Sequence, residues 1–177
     1  MIIVGDNLGS LVKQFNICDL RLFDQFSLTI ELDKYYCIPK KSEIPINYEG
    51  VSGDDYYEDL EMENGKLTIQ PGQALLACSA DRYKIPPGYI GFLQTKGSLA
   101  RWMVVAHLCD GQVEPGFEGK ITLEMVNFSP NPVEFNFRAK IAQLYLHRCT
   151  NLMDEEQYKG RYADSDKPTT PRLIGFE

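Results

Sequence analysis

Three short stretches gather residue types that can do chemistry on a phosphorylated ligand. The first is Thr95-Lys96-Gly97-Ser98-Leu99-Ala100-Arg101. Gly97 lets a backbone approach a ligand closely, and Ser98 suits the start of a helix, where free N–H groups favour a phosphate. Lys96 and Arg101 flank them with positive charge, and a guanidinium grips phosphate oxygens with two bonds. The same pattern also describes a capped helix with two solvated cations. The second stretch is Asp110-Gly111-Gln112-Val113-Glu114-Pro115-Gly116-Phe117-Glu118-Gly119. It reads as a β-hairpin with a tight turn. Gln112 and Val113 would show backbone donors and acceptors to the edge of a base, Glu114 could accept a sugar hydroxyl, and Phe117 could stack on a ring. An ordinary hairpin with a core Phe fits equally well. The third is Glu124 in Ile121-Thr122-Leu123-Glu124-Met125-Val126, where Ile121, Leu123 and Met125 take one face and Thr122, Glu124 and Val126 the other. A carboxylate in mid-strand is either exposed at an edge or set where burial would raise its pKa and suit it to proton transfer.

Short strands must position these groups. Phe26 to Leu32, Lys66 to Gln70, Ala74 to Cys78, Tyr89 to Gln94, Lys120 to Asn127, Val133 to Phe137 and Ile141 to His147 read as strands, punctuated by Pro71-Gly72, Pro86-Pro87-Gly88 and Asn131-Pro132. This spacing points to a mostly β sandwich, barrel or jelly roll. Two short helices are expected, at Leu8 to Phe15 and Leu99 to Val105. Tyr48 to Gly65, acidic and rich in Gly and Tyr, reads as an exposed excursion. From about Asp154 the chain is polar, a flexible tail that is ordered only if something holds it.

The 177 residues suit a single domain, 1–177, and 44% hydrophobic with 24% charged residues are ordinary globular values. The net charge of -7 argues against a long nucleic-acid contact. No apolar run is long enough for a membrane span, and the opening residues do not form a signal peptide, so a cytoplasmic location is the default. Cys18, Cys37, Cys78, Cys109 and Cys149 form no C-x-x-C pair. Neither His107 nor His147 opens the H-x-E motif of zinc deaminases, so any deamination here would be zinc-free.

The order K-G-S-L-A-R (96–101), D-G-Q-V-E-P-G-F-E-G (110–119), T-L-E (122–124) and K-I-A-Q-L (140–144) resembles the dCTP deaminases of the dUTPase-like superfamily. That family typically shows R/K-S-S-L-A/G-R, I-D-P-G-W/F-x-G, L-E and I-A/G-Q-L in this order. Lys66 to Ala77, Pro86-Pro87, the run from Tyr158 to Tyr162 and Pro168-Thr169 extend the likeness, which covers about Lys66 to Arg172. The resemblance implies a distorted jelly-roll fold (the dUTPase-like β-clip) and homotrimers with sites shared between subunits. It also implies a deoxypyrimidine nucleoside triphosphate bound with Mg²⁺. Lys96, Ser98 and Arg101 then match phosphate-binding positions, with Gly97 among the substrate-binding residues between them, Glu114 the acid on the sugar 3′-hydroxyl, and Phe117 the aromatic beside the sugar. Glu124 matches the glutamate that carries protons as water attacks cytosine C4. Tyr158, Arg161 and Tyr162 match the tail that folds over the triphosphate.

The chain departs from that pattern at the water site. Gly97 stands where the family has the first Ser of S-S, and Asp110 where it has a small Ala; Asp110 could itself hold the water. Thr29 and Glu31 replace an Asp and an Arg, and Ala163 to Asp166 interrupt the tail motif. Three functions follow: zinc-free deamination of dCTP to dUTP and ammonia, pyrophosphohydrolysis of dUTP (alone or after deamination), and non-catalytic nucleotide binding.

Overall fold

One long strand with a bend in it organises the chain. In this computed structural model, which describes residues 1–50, 52–150 and 160–172, helix α1 (Gly5–Phe15) precedes the twelve-residue strand β1 (Leu28–Pro39). There follow β2 (Tyr57–Glu61), β3 (Lys66–Ile69), β4 (Ala74–Ser79), β5 (Tyr83–Lys84), β6 (Tyr89–Thr95) and helix α2 (Gly97–Ala100). The series ends with β7 (Val104–Val105), β8 (Gln112–Val113), β9 (Glu118–Gly119), β10 (Thr122–Asn127), β11 (Val133–Asn136) and β12 (Lys140–Arg148).

The first half of β1 pairs with β12, Leu28 opposite Leu144 and Ile30 opposite Ala142, and the register slips at Ile30/Glu31. Beyond the slip, Leu32 and Tyr36 face Ser79 and Ala77 of β4, while Tyr35–Pro39 takes β2 along its other edge. A bulge bends a strand and adds twist, so one strand serves two layers and the sheet curls on itself in the order β7-β10-β4-β1-β12-β6-β8. Alternation then fills the inside. Leu28, Ile30, Leu123, Met125, Leu144 and Leu146 are fully buried, and truncating one of these Leu or Ile side chains to Ala costs about 2–5 kcal/mol.

Two buried acids are paired at the bend. Glu31 accepts Arg21 at 2.9 Å and Arg138 at 3.0 Å, and both arginines also reach Asp81. Thus an acid where the resembling family has an Arg is balanced by two local cations. Asp33 holds Lys120 at 2.5 Å. Removing one partner of such a pair leaves a buried charge, at a cost of about 3–5 kcal/mol.

Several expectations are corrected. The strand expected at Phe26 to Leu32 begins at Leu28 and runs on to Pro39, because its second half finds β2 and β4. The first helix starts at Gly5 rather than Leu8. The second ends at Ala100, and Met103, at φ 57°, turns the chain so that Val104–Val105 can pair with β10. Ser98 lies inside α2; Lys96 is its N-cap residue and makes no side-chain cap bond. The stretch 110–119 is not a hairpin. Pro115-Gly116 does turn the chain, with Phe117 N–H donating to Glu114 O at 3.1 Å. Its arms then part, because β8 joins β6 and β9 joins β5. The excursion is not wholly exposed: β2 docks on β1, and Gly53 is buried.

Candidate active site

The β10 alternation sends Leu123 and Met125 into the core and turns Thr122 and Glu124 toward a cavity of about 430 Å³, a size that suits a small ligand. Val105 of β7 pairs with Val126, so the chain leaving β7 returns alongside Glu124. That return loop offers its backbone to the acid. Oε2 of Glu124 accepts N–H groups from Cys109 at 2.6 Å and from Asp110 at 3.2 Å. No described residue bonds the other oxygen, Oε1. Asp110 closes the loop by accepting Gln112 N–H at 3.2 Å. His107, half-buried in the same loop, has its pKa pushed down by burial, with the charges of Glu124 and Asp110 opposing that fall.

Asp110, Gln112, Val113, Glu114, Phe117 and Glu124 all line this one cavity. Gln112 Nε2 approaches Glu114 Oε1 at 3.4 Å. Phe117 is 7% exposed and belongs to the core as well as to the wall. The two readings of that residue therefore meet in one side chain.

Further lining comes from β2 and from the tail. Tyr57 stands there, as do Thr169, Thr170 and Pro171 of the tail. The tail is held at several points. Asp164 N–H donates to Glu118 O at 2.6 Å, Lys120 N–H to Ser165 O at 2.9 Å, and Thr169 N–H to Thr122 Oγ1 at 3.1 Å. Arg82 pairs with Asp164 and Asp166, and Thr170 Oγ1 donates to Asp54. The residues that interrupt the expected tail motif thus supply its ion pairs. Tyr162 lines the cavity and Arg161 is exposed on the same turn. Tyr158 lies outside the described residues.

The first motif does not join this cavity. Lys96, Gly97, Ser98 and Arg101 are absent from its walls, and Arg101 Nη1 donates to Gly97 O at 2.9 Å within its own turn. Around α2 the surface is apolar: Trp102 is 68% exposed and Met103 61%, with Leu108 and Phe128 also exposed.

The family described as dCTP deaminase-like matches residues 12–149. The chain belongs to this family. A dCTP deaminase, dUMP-forming, of Methanopyrus kandleri is 30% identical over 158 residues, spanning 88% of this chain and 77% of that one. The corresponding protein of Streptomyces griseus is 30% identical over 151 residues, spanning 82% and 79%. The crystal structure of 2′-deoxycytidine 5′-triphosphate deaminase from Agrobacterium tumefaciens superposes with a TM-score of 0.73 at 13% identity, over 85% of this chain. This chain spans 49% of that protein's length. The likeness shows the fold, the jelly roll of the dUTPase-like superfamily, here in a single mostly β domain.

Proposed function

We propose that this chain binds a deoxypyrimidine nucleoside triphosphate and deaminates dCTP to dUTP and ammonia, with Glu124 carrying the protons. The observation behind this reading is a carboxylate with one oxygen gripped by two backbone N–H groups and the other bonded to no described residue, in the wall of a cavity of nucleotide size. Water adds to C4 while Glu124 takes one of its protons and passes it to N3. The new hydroxyl then loses its proton, through Glu124, to the amino group. Ammonia leaves and the C4 carbonyl forms. Asp110, at the same end of the cavity, holds the attacking water in place of the missing Ser.

Glu114 and Phe117 take the sugar, and Gln112 and Val113 the base edge. Lys96, Ser98 and Arg101 bind phosphates of the nucleotide in a neighbouring subunit's cavity, with Gly97 allowing the close approach. Support for that sharing is the position of α2, off its own chain's cavity and ringed by exposed Trp102, Met103 and Phe128. A homotrimer covers this apolar surface. Tyr158, Arg161 and Tyr162 close over the triphosphate. No three His, Cys, Asp or Glu side chains among the described residues form a metal cluster. Mg²⁺ bound with the nucleotide would be held by its phosphate oxygens and would neutralise part of their charge. The five unpaired thiols suit a reducing, cytoplasmic setting.

A second product is favoured by one observation: the two relatives named above carry the words dUMP-forming. In that reading dUTP is hydrolysed further, with Glu114 activating water at the α-phosphate. Incubating the protein with dCTP, dUTP and dCMP plus Mg²⁺ and resolving the products separates the cases. dUTP with ammonia marks deamination alone, dUMP with pyrophosphate marks the second step, and binding without turnover marks a non-catalytic relative.

A further inference from the structure

A row of paired residues crosses four strands of the curled sheet. Glu124 of β10 lies opposite Leu76 of β4, Leu76 opposite Cys37 of β1, and Cys37 opposite Asp59 of β2. Residues directly opposite in antiparallel pairs share a face, and Tyr57, two positions before Asp59, shares it too. Glu124 and Tyr57 therefore rise from the same face, three strand spacings or about 14 Å apart across the sheet and about 7 Å offset along the strands. Both line the cavity, with Leu76 between them.

Tyr57 is half-buried, and its hydroxyl bonds to no described residue. The buried Tyr83, by contrast, spends its hydroxyl on Thr29 O at 2.6 Å. Burial, helped by the negative charge of Glu124, raises the Tyr57 pKa, so the phenol keeps its proton and stays a donor. Its segment is also pinned. Gly53 N–H donates to Pro171 O at 2.6 Å, and a Cβ on Gly53 would meet Pro171 Cδ at 2.5 Å. Asp54 accepts Thr170. Tyr57 is thus held against the cavity from behind by the tail.

We infer that Tyr57 is a specificity residue of this site, donating its hydroxyl to O2 of the pyrimidine, the acceptor beside N3. The inference rests on the deoxycytidine nucleotide reading of the cavity. Cytosine has two acceptors side by side, N3 and the carbonyl O2 next to it; with N3 turned to Glu124, O2 is the one left for a second donor.

The test is calorimetric binding of dCTP and dCMP, with Mg²⁺, to the wild-type protein and to Tyr57→Phe, which keeps the ring and its packing. The expected result is a loss of affinity of about three- to tenfold, one neutral hydrogen bond. The loss should be equal for both nucleotides, with the melting temperature unchanged. The 2-thio analogue of dCMP, whose sulfur is a weak acceptor, should bind the two proteins alike. Equal affinity of wild type and Tyr57→Phe for dCMP overturns the inference alone. So does a loss confined to dCTP, which would place the contact at the phosphates, or an undiminished difference with the 2-thio analogue. A wild-type protein that binds neither nucleotide overturns the reading of the site together with it.

Discussion

Oε2 of Glu124 accepts the backbone N–H of Cys109 at 2.6 Å, a bond that ties the acid-bearing strand to the loop at the cavity's edge. Cys109 thereby reports on the site through its own thiol. It is exposed, whereas burial pushes Cys18 up to about 12, Cys37 up to about 11 and Cys78 higher still. The thiolate is the reactive form, so Cys109 should react with a maleimide well before those three, and dCTP should slow that reaction. Peptide mass spectrometry after brief labelling checks both; first labelling at Cys78 contradicts the order.

Arg101→Ala should weaken triphosphate binding roughly ten- to a hundredfold, the worth of a charge-assisted phosphate contact of about 1.5–3 kcal/mol. It should leave the melting temperature nearly unchanged, since among the described residues the side chain bonds only within its own turn. Because α2 and Glu124 do not share a cavity within one chain, trimers assembled from equal parts of Arg101→Ala and Glu124→Gln should regain activity, about one quarter of wild type for random cyclic trimers. No recovery after denaturing and refolding the mixture argues for sites complete within one chain.

Gly53→Ala should loosen the tail. The added methyl meets Pro171 Cδ at 2.5 Å and Pro171 N at 2.8 Å, and the segment that must shift carries one wall of the cavity. Hydrogen exchange across 160–172 should speed up while that of β10 and β12 stays slow. Unchanged protection of the tail contradicts the clasp.

His107 makes stability fall on acidification. Its folded pKa lies below the ordinary 6.5, chiefly through burial, so as the pH drops through 6.5 the unfolded chain binds the proton first. Stability is intact above that pH and declines below it until the folded His107 also protonates. Urea melts from pH 7.5 to 5 should show the decline, and His107→Asn should reduce it. Identical slopes for the two proteins rule out His107 as the source.

Much of the fold was legible in local pattern. β3, β4, β6, β10, β11 and β12 stand within a residue or two of the stretches marked by alternation and turn dipeptides. What escaped depends on distant partners. Nothing in Tyr57–Glu61 declares a strand until Tyr35–Pro39 lies beside it, and Asp110 to Gly119 has a hairpin's turn but sends its arms to different strands. At the site, Glu124, Asp110, Gln112, Val113, Glu114 and Phe117 were marked by their motifs and do line one cavity. Tyr57 and Lys120 were missed as cavity residues because no motif carries them, and Thr169 because its motif was read as part of the tail without a role in the site; pairing and the tail's path bring them there. The separation of Lys96 and Arg101 from that cavity is a fact of three dimensions that no spacing along the chain announces.

If the carboxylate of Glu124 moves protons at cytosine C4, ammonia release from dCTP by wild type and Glu124→Gln side by side shows it most directly. An amide keeps the shape and reach of the side chain but cannot take a proton from water, and acid–base catalysis of this kind is worth about 10²–10⁴-fold. The wild type should release ammonia, Glu124→Gln should lose at least that factor, and dCTP affinity should stay within a few-fold in both. Equal ammonia release by the two proteins, or none from a wild type that binds dCTP, contradicts that role of Glu124.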